Sequence, residues 1–114
     1  MIQLEGVDSN MIANNITPFY VTHPGEVLKD EVEYRGISQR SLADQIGMSY
    51  KALNEILNER RPVTIETAML FEAALGISAK TLLNLQMEYN MSQMSHNKTF
   101  LDRLSSIRKI AAVL

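Results

Sequence analysis

The chain has 114 residues, enough for one domain with its own hydrophobic core, and apolar residues make up 46% of it against 21% charged. This ordinary globular balance excludes an intrinsically disordered chain, and the absence of cysteine excludes a disulfide framework, a thiol nucleophile and a zinc-finger ligand set. No apolar stretch has the length of a membrane span, and the first residues lack the pattern of a signal peptide, so we expect a cytoplasmic protein.

The formal net charge of −2 gives the chain no overall attraction to nucleic acid, but the charges are unevenly distributed. An acidic cluster is formed by Glu26, Asp30, Glu31 and Glu33. Residues 38–61 carry four basic residues against three acidic ones, and residues 95–114 carry four against one. A basic face is therefore possible, with weak electrostatic steering toward DNA.

Residues 1–22 show no sustained hydrophobic period and predict a loosely ordered N-terminal arm. A first helix is then predicted from Pro24 and Glu26, because proline is preorganised at the first helical position and an acidic residue is favourable near a helix N-terminus. Gly36 is expected to end it. We interpret His23 as a helix-start residue, because the only other histidine, His96, lacks metal-ligand spacing. We expect no metal, no cofactor and no catalytic site.

Residues 38–61 predict two short helices joined by a tight turn. At three- and four-residue spacing the first carries Leu42, Ala43 and Ile46, and the second carries Leu53, Ile56 and Leu57. These faces are expected to meet, with Ala43 small enough for a close crossing. Gly47 supplies the turn conformation, and Ser49 is a candidate N-cap of the second helix. This combination is typical of a helix-turn-helix.

Two further helices are predicted after the polar exit at residues 58–62. Thr64 caps the fourth helix, Gly76 closes it, and Ser78 caps a fifth that fades near Ser92. The fourth helix is apolar on more than one side, so Leu70 is either a subunit contact or a single exposed leucine. The chain is therefore all-α, with an arm at residues 1–22, a helix-turn-helix domain at 23–92 and a C-terminal amphipathic helix at 93–114.

The final segment has the spacing of a helix that pairs with another helix. We call this set the seam, and it consists of Phe100, Leu104, Ile107, Ala111 and Leu114. Because so short a helix does not stand alone in water, the seam packs on the domain, on a sister subunit or on another protein. The spacing slightly favours a sister subunit, so that deletion of residues 97–114 would weaken dimerisation.

The pattern Gln39, Ala43, Gly47, Leu53 and Ile56 resembles the phage-repressor-like helix-turn-helix family, often called xenobiotic-response-element regulators. The segments HPGEVL, RRPVTIETAM and LLNLQMEYN, within residues 23–90, resemble more narrowly the HigA family of antitoxins. The resemblance implies a compact five- to six-helix bundle of the lambda-repressor-like type. The chain departs from that family at Leu82, where a tryptophan is frequent, and at Leu70, where an arginine is frequent.

With the apolar face of the second helix turned inward, its other face presents side chains to the DNA major groove. The family pattern implies base readers at Ser49, Tyr50, Lys51 and Asn54, with Asn58 on the same face. Phosphate contacts are expected from Ser38, Gln39 and Arg40, and from Arg60 and Arg61 beyond the recognition helix.

One such unit reads few base pairs, so we expect a homodimer on an inverted repeat with half-sites roughly 34 Å apart. The resemblance also implies a toxin partner, a small mRNA endoribonuclease of the HigB type, which the antitoxin neutralises while it represses their shared operon. A free-standing repressor without a toxin remains the alternative, and an enzyme is the third reading, for which no catalytic motif is present.

Overall fold

The computed structural model describes residues 21–113. This part of the chain contains no strand and consists of six helices: α1 (Pro24–Arg35), α2 (Gln39–Ile46), α3 (Tyr50–Leu57), α4 (Ile65–Leu75), α5 (Ala79–Ser95) and α6 (Lys98–Ala111). The predicted all-α class with a helix-turn-helix is confirmed. The predicted arm lies outside the described residues except for its last two positions, and Leu114 also lies outside them.

The helix ends follow the sequence signals. Gly36 and Gly47 end α1 and α2 with φ angles of 67° and 72°, the left-handed region that glycine adopts without a Cβ clash. Ser49 caps α3 by accepting a hydrogen bond from the backbone N–H of Ala52 at 3.0 Å. Thr64 caps α4 and exchanges hydrogen bonds with Thr67. Local chemistry alone therefore accounts for where these helices begin and end.

The predicted end of the fifth helix was wrong, because α5 continues to Ser95 rather than fading near Ser92. No glycine or proline follows Gly76 in the sequence, so nothing stops the helix at Ser92. The Ser95 hydroxyl donates a hydrogen bond to the Ser92 carbonyl at 2.8 Å, and Asn97 then caps α6. The break between the two helices is thus two residues long.

The chain divides into two compact units. The first is Thr22–Met91, and the second contains Val21 and, among the described residues, 92–113. The core of the first unit consists of Leu28, Val32, Leu42, Ala43, Leu53, Ile56, Leu57, Val63, Ala68, Phe71, Leu75 and Leu82. In the second unit, none of the residues of α6 is buried. The helix-turn-helix lies wholly in the first unit.

Two contacts fix α1 in the first unit. Gly25 lies so close to α3 that an added Cβ would be 2.0 Å from the Ile56 carbonyl oxygen. At the other end of α1, the Arg35 guanidinium donates a hydrogen bond to the Leu75 carbonyl at 2.6 Å and so satisfies the C-terminal end of α4. Helix α1 therefore supports the helix-turn-helix and is itself fixed at both of its ends.

Candidate nucleic-acid interface

Helices α2 and α3 pack through small and branched apolar side chains. Leu42 and Ala43 of α2 are 1% exposed, and Leu53 and Ile56 of α3 are fully buried. Because Ala43 has only a methyl group, the two helices approach closely, and Gly47 allows the chain to reverse between them. The opposite face of α3 is thereby fixed toward solvent, as the sequence predicted.

The N-terminal turn of α3 is an exposed cluster. The Ser49 side chain serves as the cap, Lys51 is exposed, and the Tyr50 ring is 40% exposed. The Arg40 guanidinium lies 4.3 Å from the centroid of the Tyr50 ring, the geometry of a cation–π contact. Two residues predicted for different roles are therefore brought together, and Arg40 is held at the edge of the face.

A second pair links the two helices one turn further along α3. The Asn54 side-chain amide donates a hydrogen bond to the Gln39 side-chain oxygen at 3.0 Å, and both residues are half-buried. Each still has polar atoms to offer, because an amide carries two N–H donors and an acceptor oxygen. Gln39 thus lies beside Asn54 on the exposed face of α3, and a hydrogen bond joins the two side-chain amides.

Two other predicted site residues serve the helix ends. Ser38 caps α2 by accepting from the Ser41 N–H at 2.9 Å. The Asn58 side chain donates to the Asn54 carbonyl at 2.9 Å, so it closes the last turn of α3. The Asn58 side chain is therefore already hydrogen-bonded to the backbone. The exposed Ser38 lies at the start of α2, where backbone N–H groups attract anions.

The basic segment that follows α3 is partly neutralised by an acidic residue of α3. The Arg61 guanidinium donates two hydrogen bonds to one oxygen of Glu55, at 3.0 and 2.6 Å. These hydrogen bonds hold the pKa of the Glu55 carboxyl below its ordinary value. Arg60 is exposed beside them. The turn is tight enough that Glu59 has a φ of 65°, a left-handed conformation for a residue with a side chain.

A residue from a distant part of the chain, Gln86, holds the backbone just after this turn, and the sequence did not reveal it. Gln86 of α5 is 6% exposed; its oxygen accepts from the Val63 N–H at 2.8 Å, and its amide donates to Asn90 at 3.0 Å. His23 is 2% exposed and caps α1, as predicted, by accepting from the Gly25 N–H at 2.8 Å. Its ring also contacts the Tyr89 ring edge-on at 4.7 Å.

Burial lowers the pKa of the His23 imidazole, and the Glu59 carboxylate partly offsets that effect.

No group of three histidine, aspartate or glutamate side chains within residues 21–113 could hold a metal ion. None of the helices between those residues is long and apolar enough to span a membrane.

Comparison with known proteins agrees with this geometry. A helix-turn-helix family model matches residues 28–82. Virulence-associated protein I of Dichelobacter nodosus is 34% identical over 77 residues, which cover 67% of this chain and 71% of that protein.

Two solved structures from Pseudomonas aeruginosa are also similar. The protein PA4674, solved in complex with its operator DNA, is 32% identical with a TM-score of 0.61, over 65% of this chain and 81% of the other. The antitoxin HigA, solved with the higBA promoter, is 29% identical with a TM-score of 0.66, over 74% of this chain and 94% of the other. The chain therefore belongs to the helix-turn-helix family, as a HigA-like antitoxin member of it.

Proposed function

We propose that this protein is a sequence-specific DNA-binding antitoxin that represses its own operon from the cytoplasm. The observation that carries the proposal is the exposed N-terminal turn of α3, where Tyr50 and Lys51 lie beside the Gln39–Asn54 pair. Similarity to proteins solved on operator or promoter DNA supports the same function. The protein would act by binding rather than by catalysis.

The roles of the side chains follow from their chemistry. Lys51 can donate to the guanine acceptors in the major groove, and Asn54 can pair with adenine through its remaining N–H and its oxygen. Tyr50 would contact a thymine methyl group or a phosphate. Arg40 and the backbone N–H groups after Ser38 would bind phosphate at the start of α2.

Arg60 and Arg61 would bind the DNA backbone beyond α3, with Arg61 exchanging part of its contact with Glu55 for a phosphate. Two copies of the chain would bind an inverted repeat, because one α3 reads only a few base pairs. The half-sites would then be roughly 34 Å apart, one turn of DNA.

Neutralisation of a HigB-like mRNA endoribonuclease is the second part of the proposal, and similarity to HigA antitoxins supports it. A free-standing repressor would share every DNA-facing feature described above. The two alternatives differ in gene context, since an antitoxin gene has a short basic reading frame immediately beside it.

The direct experiment uses the gene's own upstream DNA and the product of the neighbouring reading frame. We expect the protein to protect an inverted repeat upstream of its gene and to co-purify with the neighbouring product. Equal binding to unrelated DNA at moderate salt would refute sequence-specific repression. Operator binding without any neighbouring partner would leave a free-standing repressor.

A further inference from the structure

A cleft opens beside the basic segment that follows α3. Its volume is about 240 Å³, which is room for several water molecules or for one phosphate group. The N-cap of α1, residues 59–62 and the middle of α5 line it, and all of these belong to the first compact unit. Three parts of the chain that are distant in sequence therefore converge on one cleft.

Two polar side chains at the floor of this cleft are more than nine-tenths buried, and each keeps an N–H donor without an acceptor. Nδ1 of His23 accepts from the Gly25 N–H and burial lowers the pKa of the ring, so the neutral ring carries its proton on Nε2. Within residues 21–113, no oxygen or nitrogen atom accepts from this Nε2–H. Gln86 donates one amide N–H to Asn90, and its second N–H has no acceptor in the same part of the chain. Buried donors without acceptors are costly, so an acceptor bound in the cleft would relieve both.

The rim of the cleft is also rich in donors. The exposed Asn90 uses only its side-chain oxygen, which accepts from Gln86, so both of its amide N–H groups remain available. The exposed Arg60 forms no ion pair within the described residues, whereas Arg61 is hydrogen-bonded to Glu55. A ligand in the cleft would therefore meet donors at the rim as well as at the floor.

This arrangement selects an anion with several acceptor atoms. Among the described residues that line the cleft, Glu59 supplies the only carboxylate, against the two guanidinium groups of Arg60 and Arg61. The excess positive charge disfavours a metal cation, and a hydrocarbon group would leave the buried donors unpaired. A phosphate group has negative charge and several acceptor oxygens, and the planar guanidinium of arginine matches its geometry.

We propose that this cleft is a phosphate-binding site. His23 and Gln86 donate to the phosphate oxygens from the floor of the cleft. Arg60 and Asn90 donate from its rim. Free phosphate and a phosphate of the DNA backbone beyond α3 offer the same chemistry, and the DNA source rests on the proposed function. The site extends ligand recognition to α1 and α5, outside the helix-turn-helix.

Inorganic phosphate is the first probe, added without DNA to the full-length protein at constant ionic strength. We expect the side-chain amide NMR signals of Gln86 and Asn90 to shift and to saturate. Asn90→Asp keeps the oxygen that accepts from Gln86 but replaces the amide donor by a negative charge, so it should weaken phosphate binding by about tenfold or more. Arg60→Gln, which removes a donor from the exposed rim, should do the same. Asn84→Asp adds the same charge at an exposed position earlier in α5 and should leave the affinity nearly unchanged.

The DNA upstream of the gene is the second probe, and it distinguishes the two sources of phosphate. If a backbone phosphate occupies the cleft, Asn90→Asp should weaken operator binding about tenfold more than Asn84→Asp, without a change in base preference. Saturable binding of inorganic phosphate, with equal operator affinities for the two variants, would assign the cleft to free phosphate. Shifts that do not saturate, together with equal operator affinities, would refute the site. If the protein bound no operator, the proposed repression would fail and the phosphate titration alone would decide the site.

Discussion

Asn54 and Gln39 meet on the DNA-facing side although 15 residues separate them in the chain. Their hydrogen bond limits the rotamers of both side chains before any DNA is bound, and preorganisation of this kind lowers the entropy cost of binding. Arg40 and Tyr50 restrain each other in the same way at the neighbouring edge. The residues that would read bases are therefore held by residues that the sequence assigned to phosphates.

Base readers and phosphate contacts should respond differently to truncation. Asn54→Ala or Lys51→Ala is expected to cost about 1–3 kcal/mol of operator binding and to relax the preference at one or two base pairs. Arg61→Ala should weaken binding to all sequences about equally. Competition binding against a panel of single-base operator variants measures both effects. A change of preference in the Arg61 variant alone would reverse the assignment.

The buried His23 gives the fold a pH dependence on the acid side. Its pKa is lowered in the folded protein, so below an unfolded-state pKa of about 6.5 the unfolded chain binds more protons than the folded one. Stability is therefore full above about pH 6.5 and declines as the pH falls toward the folded-state pKa. Protonation at Nδ1 would also remove the acceptor that caps α1.

Urea unfolding between pH 5 and 7.5 measures this effect. We expect the midpoint of the wild-type protein to fall below pH 6.5 and that of His23→Asn to fall less steeply, because asparagine caps a helix without titrating in this range. Equal slopes for the wild-type protein and His23→Asn would show that His23 does not carry the pH dependence.

At the scale of the elements, Gly25 is where α1 and α3 meet. A Cβ there would lie 2.0 Å from the Ile56 backbone, which cannot move without shifting the recognition helix. We expect Gly25→Ala to destabilise the fold by about 3 kcal/mol, the upper end for an overpacked core. Gly76→Ala is the control: its Cβ meets open space, and its φ of 75° costs about 1–2 kcal/mol. Similar unfolding midpoints for the two variants would contradict the close contact.

The helices could be predicted because their ends are local. Gly36 and Gly47 each terminate a helix through their own backbone conformation, and Ser49 caps α3 through a residue three positions away. The end of α5 was missed because the three residues after Ser92 carry no stop signal. The role of Gly25 was missed because its reason, Ile56, lies 31 positions further along the chain. A local sequence pattern does not predict a contact between residues so far apart in the chain.

At the scale of the whole molecule, the same limit applies to the candidate site. The spacing of the apolar residues in α3 was sufficient to predict its exposed face, because the spacing identifies the buried face and the exposed face lies opposite. The links from Arg40 to Tyr50 and from Arg61 to Glu55 depend on how helices and turns meet. The support of the basic turn by Gln86 depends on α5, 23 residues beyond Val63. None of these contacts has a spacing that marks it in the sequence.

Salt dependence can establish how many copies of the chain bind one operator. Each phosphate contact contributes about 0.9 to the slope of log affinity against log salt. If two subunits bind together, Arg40→Ala removes two contacts and should reduce the slope by about 1.8, whereas a monomer would lose about 0.9. Lys98→Ala removes an equal charge from the exposed side of α6 and should leave the slope unchanged.

Operator spacing tests the same dimer by geometry. Inserting about 5 base pairs between the half-sites turns them to opposite faces of the DNA, because one turn is about 10 base pairs. A dimer with a fixed separation between its two α3 helices can then engage only one half-site, so we expect affinity to fall to that of a single half-site. Titration with labelled DNA would measure both affinity and stoichiometry. If the insertion left the affinity unchanged and one chain bound each operator, the protein would bind DNA as a monomer.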